Sequence, residues 1–157
     1  MIIREINPKS EFEIDLVAHR MQQTLIEVLG YEKGEAMYSI DWLRDRVKWH
    51  LDQSTNDGQV FLIENQDQEI VGHAIVRVDF GSSFGYFSTI FIEPASRKNG
   101  LAKKLIKHVE TWFKERKTPR IIYNTGTHHI AIIKLFESHG YKISLEQSEM
   151  VQLSKNL

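Results

Sequence analysis

The sequence predicts a single α/β (α+β) domain built on one mixed sheet flanked by helices, and three observations carry that prediction. The chain has 157 residues, 41% hydrophobic and 26% charged, enough for one domain with a substantial core. Short β-branched runs between residues 59 and 93 read as a meander of three strands, while helical periodicity dominates before and after it. No internal repeat, low-complexity stretch or linker divides residues 1–157, so they are read as one unit around one sheet.

Ile2–Ile6 alternates as a first strand. Ser10-Glu-Phe-Glu13 has the capping-box form, and behind it Ile14, Val17, Ala18, Met21, Leu25, Val28 and Leu29 recur at helical spacing until Gly30. A second helix is expected from Ser39, with Ile40, Leu43, Val47 and Leu51 as its inner stripe. Ser54–Gly58 reads as a loop. Gln59–Glu64 and Ile70–Phe80 are strands joined by the turn Asn65–Gln68, and the turn Gly81–Gly85 leads to a strand over Tyr86–Glu93. A third helix carries Leu101, Leu105, Val109, Trp112 and Phe113 on one face, with its lysines mostly elsewhere, until Pro119 breaks the chain. Arg120–Asn124 is a short strand and Ile130–Ser138 a helix ended by Gly140. Tyr141–Ser144 and Glu149–Leu153 read as closing strands.

Composition narrows the chemistry. The chain has no cysteine, which excludes disulfides, thiolate metal sites and cysteine nucleophiles and fits a cytoplasmic protein. The charged N-terminus is not a signal peptide, and no apolar run reaches membrane-spanning length. His128, His129 and His139 stand without a carboxylate cluster at ligand spacing, so no metal is expected. The net charge of −1 conceals an asymmetry: residues 1–96 hold 8 Lys/Arg against 16 Asp/Glu, and residues 97–120 hold 9 against 2. The acidic part points weakly to a cationic acceptor, and an acidic solvated surface would read the same way.

The basic part begins where a β-branched strand runs into Arg97-Lys-Asn-Gly-Leu-Ala102 and then directly into a long amphipathic helix. Free N–H groups at such a helix start, beside a glycine and cations, suit a phosphate. Taken as a bare pattern the loop is a turn that glycine permits; its place between strand and helix, with excess cation, raises the anion-site reading.

Here the chain resembles the GNAT superfamily of acyl-CoA-dependent N-acetyltransferases. In that family a strand ends near a proline and Arg/Gln-x-x-Gly-x-Gly/Ala follows, as in Ile90-Phe-Ile-Glu-Pro94 and Arg97–Ala102. A second family block has an Asn, a short helix with a Tyr, and a terminal Gly-Phe; this chain has His129–Gly140-Tyr141. The resemblance covers roughly residues 1–153 and is specific over 86–141.

The resemblance implies a GNAT-type fold, with a mostly antiparallel sheet and a gap between the Tyr86–Glu93 and Arg120–Asn124 strands that holds acetyl-CoA. It implies that Ile90, Phe91 and Ile92 pair with the pantetheine arm as an added strand. The N–H groups of Lys98, Asn99, Gly100, Leu101 and Ala102 would hold the pyrophosphate, Arg97, Lys98, Lys103 and Lys104 are added phosphate contacts, and Asn124, His129 and Phe136 stand beside the cofactor. The family's Asn falls on His129, which still donates a hydrogen bond. Its Tyr, the acid that protonates departing CoA, falls on Phe136, which has no proton to give.

No residue is assigned as base or acid. Where some members carry a glutamate this chain has Tyr86. Glu93 faces away from Tyr86 by strand alternation. Glu64, His73, Asp79, Tyr123, Asn124 and His129 are further candidates, and deprotonation through ordered water is an equal alternative. Ser88 and Thr89 sit mid-strand, so no covalent intermediate is expected. Trp42, Trp49 and His50 fit a packing role and also a substrate wall, which the family varies in this region.

The expected activity is acetyl transfer from acetyl-CoA to an amine by direct attack. The partners implied are acetyl-CoA and the acceptor; a homodimer is considered because paired domains of this kind are common. The rivals are a non-catalytic acyl-CoA-binding or sensor module and, behind it, a nucleic-acid-binding domain using the basic patch, which lacks interleaved aromatics.

Overall fold

The computed structural model describes residues 1–157, and it places seven strands in one sheet in the order β1-β2-β3-β4-β5-β7-β6. The strands are β1 (Ile2–Glu5), β2 (Asn56–Glu64), β3 (Ile70–Asp79), β4 (Phe84–Ile92), β5 (Arg120–Gly126), β6 (Lys142–Gln147) and β7 (Met150–Asn156). The helices are α1 (Glu11–Leu29), α2 (Tyr31–Met37), α3 (Ile40–Leu51), α4 (Leu101–Glu115) and α5 (Ile130–Ser138). β4 and β5 are parallel and every other pairing is antiparallel, as the mixed sheet expected from the sequence requires. No helix is long and apolar enough to cross a membrane.

Each face of the sheet buries its own cluster. Ile14, Val17, Ala18 and Met21 of α1 and Leu43 and Val47 of α3 pack on Val60, Leu62 and Ile75. On the other face Leu101, Leu105, Val109, Trp112 and Phe113 of α4, with Ile133 and Phe136 of α5, pack on Phe61, Phe87, Ile90 and Ile121. These stripes are the periodicities that place the helices.

Several boundaries differ from the sequence reading. Residues 31–37 form a helix that the polar run Tyr31–Met37 does not advertise. Its Gly34 lies so close to α1 that a Cβ would come within 2.5 Å of Ile26 Cα, so contact with α1 holds this short helix. The Ser54–Gly58 loop is cut short because β2 begins at Asn56, whose buried side chain donates from Nδ2 to the Trp49 carbonyl at 3.0 Å. β4 likewise takes Phe84 and Gly85 from the predicted turn, and β5 runs on to Gly126. The closing strands are longer and later than Tyr141–Ser144 and Glu149–Leu153, a hairpin turning at Ser148 and Glu149, both at positive φ. At α1 Ser10 Oγ accepts from the Glu13 N–H at 3.2 Å as the capping box predicts. The Glu13 carboxylate instead accepts from the Asn7 N–H and the Arg4 guanidinium.

Candidate active site

The Arg97–Ala102 loop turns through Lys98 (φ 67°) and Gly100 (φ 77°), both left-handed, and delivers α4. Six consecutive backbone N–H groups, Lys98 to Lys103, have no acceptor in the protein, because the first intrahelical bond is from Lys104 N–H to Gly100. They border a groove of about 350 Å³ between the start of α4 and Ala131 and Leu135 of α5, with Ile92 also in its lining. A Cβ at Gly100 would meet no protein atom, so glycine is required there by its φ and not by crowding within the chain. Lys98, Lys103 and Lys104 form no ion pair. Arg97 is engaged: its Nε donates to the Ile92 carbonyl at 2.6 Å and its Nη2 to Glu27 of α1 at 2.7 Å. A row of free donors at a helix start flanked by three uncommitted lysines fits a pyrophosphate.

β4 and β5 pair only from Phe84↔Arg120 to Phe87↔Tyr123. Beyond that the strands part, and the Thr89–Ile92 edge of β4 faces an opening, while its other edge stays bonded to β3 through Ala74↔Ile90, His73↔Phe91 and Gly72↔Ile92. An extended chain can add there as a strand. The register with β3 shifts where Ile75 faces Thr89 and Val76 faces Phe87, which leaves Ser88 as the extra residue of a bulge.

The bulge has a consequence the sequence alternation missed. Ser88 and Thr89 both face α1 and α3, lining one cavity, while Ile90 and Ile92 join the opposite core. Glu93 therefore lies on the same side as Tyr86 and not opposite it. Its charge acts on Arg20, whose guanidinium lies over Phe91 at 5.6 Å.

That cavity, of about 730 Å³, is walled by α1, α2, α3, β3, β4, β5 and the β6–β7 turn. Its rim carries a stacked pair, Tyr38 and Trp42, with centroids 4.1 Å apart. Arg46 and Arg77 lie against Trp49, 3.8 and 5.5 Å from its ring. Arg77 donates from Nε to Asp79 at 2.8 Å and from Nη1 to Ser88 Oγ at 3.0 Å. His50 Nδ1 lies 2.9 Å from the Arg46 carbonyl and donates to it, so Nε2 is an acceptor for the Ser88 hydroxyl at 3.3 Å. Burial, with the charges of Arg46 and Arg77, pushes His50 down to about 4, so its imidazole is neutral at pH 7. Arg46, Arg77 and Ser88 were not singled out as binding residues in the sequence. Arg46 and Arg77 are 31 positions apart and meet only through the packing of α3 on β3.

The remaining candidates are dispersed. Glu64 pairs with Arg4 at 2.6 Å, away from the cavity. His73 is fully buried and pushed down to about 3 by desolvation, with Nε2 3.1 Å from Thr89 Oγ1. Asp79 is bound to Arg77, and Tyr86 lies beneath the same guanidinium at 4.5 Å. Asn124 borders the cavity. Phe136 is wholly buried and stacked on Tyr123, centroids 4.1 Å apart and planes within 4°. Tyr123 also borders the cavity at the parting of the strands, and burial pushes its phenol up to about 12. His129 lies 3.3 Å from Thr125 Oγ1 and is shifted down by desolvation. No group of three metal-ligating side chains is present.

A sheet that opens between two parallel strands, with a row of free N–H groups at the opening and a second cavity behind it, matches the fold expected from the resemblance to the GNAT superfamily. The Acetyltransferase (GNAT) family matches residues 20–141, and the chain belongs to that family. No curated protein matches it in sequence. Among solved structures it is similar to the ribosomal-protein-alanine N-acetyltransferase from Brucella melitensis (TM-score 0.76, 15% identity, 100% of each chain covered). It is also similar to an acetyltransferase of the GNAT family from Streptococcus pneumoniae (0.75, 18%, 99% of this chain and 98% of that one). A third likeness is to the PaiA N-acetyltransferase from Thermoplasma acidophilum in complex with coenzyme A (0.74, 9%, 99% and 98%). At these identities the likeness is one of fold.

Proposed function

We propose that this chain transfers the acetyl group of acetyl-CoA to an amine by direct attack, without a covalent enzyme intermediate. The observation that carries the reading is the unbroken row of free N–H groups from Lys98 to Lys103, beside the opening between β4 and β5. The row suits the pyrophosphate of CoA, with Lys98, Lys103 and Lys104 adding charge. The open edge of Ile90–Ile92 suits the pantetheine amides. The thioester then falls at the parting of the strands, where backbone N–H of β4 polarises the carbonyl. The amine enters through the larger cavity and holds its nitrogen against the carbonyl carbon.

In the reaction a C–N bond forms and the C–S bond breaks. The amine nitrogen loses a proton to water in the cavity, and the departing thiolate takes one from the Tyr123 hydroxyl. Tyr123 stands in for the tyrosine that Phe136 replaces: its phenol borders the cavity at the parting of the strands and is protonated at neutral pH, and solvent restores the proton.

Calorimetry with acetyl-CoA tests the donor site. Wild type should bind, and Gly100→Val, which forces a β-branched residue to φ 77°, should lose binding while keeping its circular dichroism spectrum. Absence of binding to wild type at millimolar acetyl-CoA would overturn the reading. Release of free CoA thiol with a panel of amines then separates an enzyme from a module that only binds the acyl-CoA.

A further inference from the structure

The larger cavity holds a charge that its own walls do not neutralise. The Arg46 guanidinium makes no hydrogen bond and no ion pair, although the residue is half-buried on the inner side of α3. Desolvation and the neighbouring Arg77 both work against its charge, and only Asp79 and Tyr38 favour it. Arg77 has spent Nε on Asp79 and Nη1 on Ser88, which leaves Nη2 without a partner. Lys33 of α2 also borders the space, and the one carboxylate among the lining residues is Glu149 on the β6–β7 turn. Of the acidic balance of residues 1–96 only Asp79 reaches the two arginines, and it is bonded to Arg77; Glu11, Asp15 and Asp41 surround Arg44 on the outer side of α1 and α3.

We propose that the acceptor is an amine carrying a carboxylate or phosphate group a few bonds from its nitrogen, with Arg46 and Arg77 as the anion's partners. This rests on the acetyl-transfer reading above. Two guanidiniums against one indole present planar donor forks that match a carboxylate or phosphate oxygen pair. Arg46 has no anionic partner and Arg77 keeps Nη2 free beside its bond to Asp79, so a half-buried guanidinium is left costly until an anion arrives.

The distance from the anion to the nitrogen is set by Ser88. Its Oγ accepts from Arg77 at 3.0 Å, and it is the bulge residue next to the parting of β4 and β5. An anion on Arg77 therefore lies near the thioester site, and a nitrogen a few bonds away reaches it. The Tyr38–Trp42 stack at the rim gives the rest of the acceptor an apolar wall.

The same cations ease the reaction. A substrate ammonium beside two guanidiniums is disfavoured relative to the neutral amine, so the attacking nitrogen sheds its proton to water without a strong protein base. The arrangement thus accounts for a site in which His50 is a weak base and Glu149 is the one carboxylate among the lining residues.

The test is CoA release with acetyl-CoA and matched acceptors: α-amino acids, their carboxamides, the corresponding decarboxylated amines, aminoalkyl phosphates and polyamines. Acids should exceed their amides in kcat/KM by about tenfold or more, the scale of one charged hydrogen-bond pair. The carboxylate and phosphate sets identify which anion is meant. Arg46→Gln should raise the acceptor KM by about tenfold or more and leave the acetyl-CoA KM unchanged, and Arg46→Lys should recover part of the loss. Preference for amides, decarboxylated amines or polyamines, or an unchanged acceptor KM in Arg46→Gln, overturns the inference while leaving acetyl transfer standing. If no set turns over, thermal-shift titration of the CoA-loaded protein decides: stabilisation by acids and not by amides supports it, and none by either overturns it. Calorimetry with acetyl-CoA reports separately on the reading beneath.

Discussion

Tyr123 and Phe136 lie face to face with planes within 4°, so the ring that keeps the family's position and the ring that keeps a hydroxyl are packed as one unit. Removing only that hydroxyl tests the proton donor. Tyr123→Phe should preserve the stack and the fold and lower kcat on the order of 100-fold, the lower end of what a general acid supplies, with little change in acceptor KM. An unchanged kcat would mean that the thiolate leaves unaided. The sequence shows at once that Phe136 has no proton and that Tyr123 is a candidate, because each is a statement about one side chain. It does not show that the two stack, nor that Arg46 and Arg77 meet on Trp49, because those contacts join separate elements.

The β3–β4 pair is where packing and the donor site meet. Gly72 faces Ile92, and a Cβ there would come within 2.7 Å of the Phe91 carbonyl oxygen and of Ile92 Cδ1. Gly72→Ala should cost about 1–3 kcal/mol, as overpacking does, and also weaken acetyl-CoA binding by displacing the Ile90–Ile92 edge. Thermal unfolding and calorimetry on the same variant read the two effects, and full affinity at lowered stability would show that this edge does not carry the cofactor. Local signals made most elements legible: the Ser10 cap, the apolar stripe of α4 and Gly100 at the loop are each read within a few residues. What was not legible depends on partners. The Ser88 bulge exists only in register with β3, and it reverses the face assigned to Glu93. The helix at Tyr31–Met37 depends on the close approach of Gly34 to α1 and shows no apolar stripe of its own.

Across the whole molecule, burial of histidine makes stability depend on pH in a defined direction. His50 is held near 4 and His73 near 3, in both cases chiefly by desolvation, with arginine charges adding to it. In the unfolded chain both titrate near 6.5. Above pH 6.5 they are neutral in both states, so the stability their burial permits is fully present. Between about 6.5 and 4 the unfolded chain binds protons that the native state refuses, so stability falls as pH falls. The slope is about 1.4 kcal/mol per pH unit for each histidine. Glu13, bound to Arg4, has its own pKa lowered and adds its loss only further down, below the ordinary carboxylate range of about 4.3. Urea unfolding at pH 7.0, 6.0, 5.5 and 5.0 therefore isolates the histidines, and stability should drop steadily over that interval. His50→Gln should remove the His50 share of the slope while leaving His73, and to a smaller extent His129, to supply the rest. A flat profile from pH 6.5 to 5 would mean that water reaches both imidazoles in the native state.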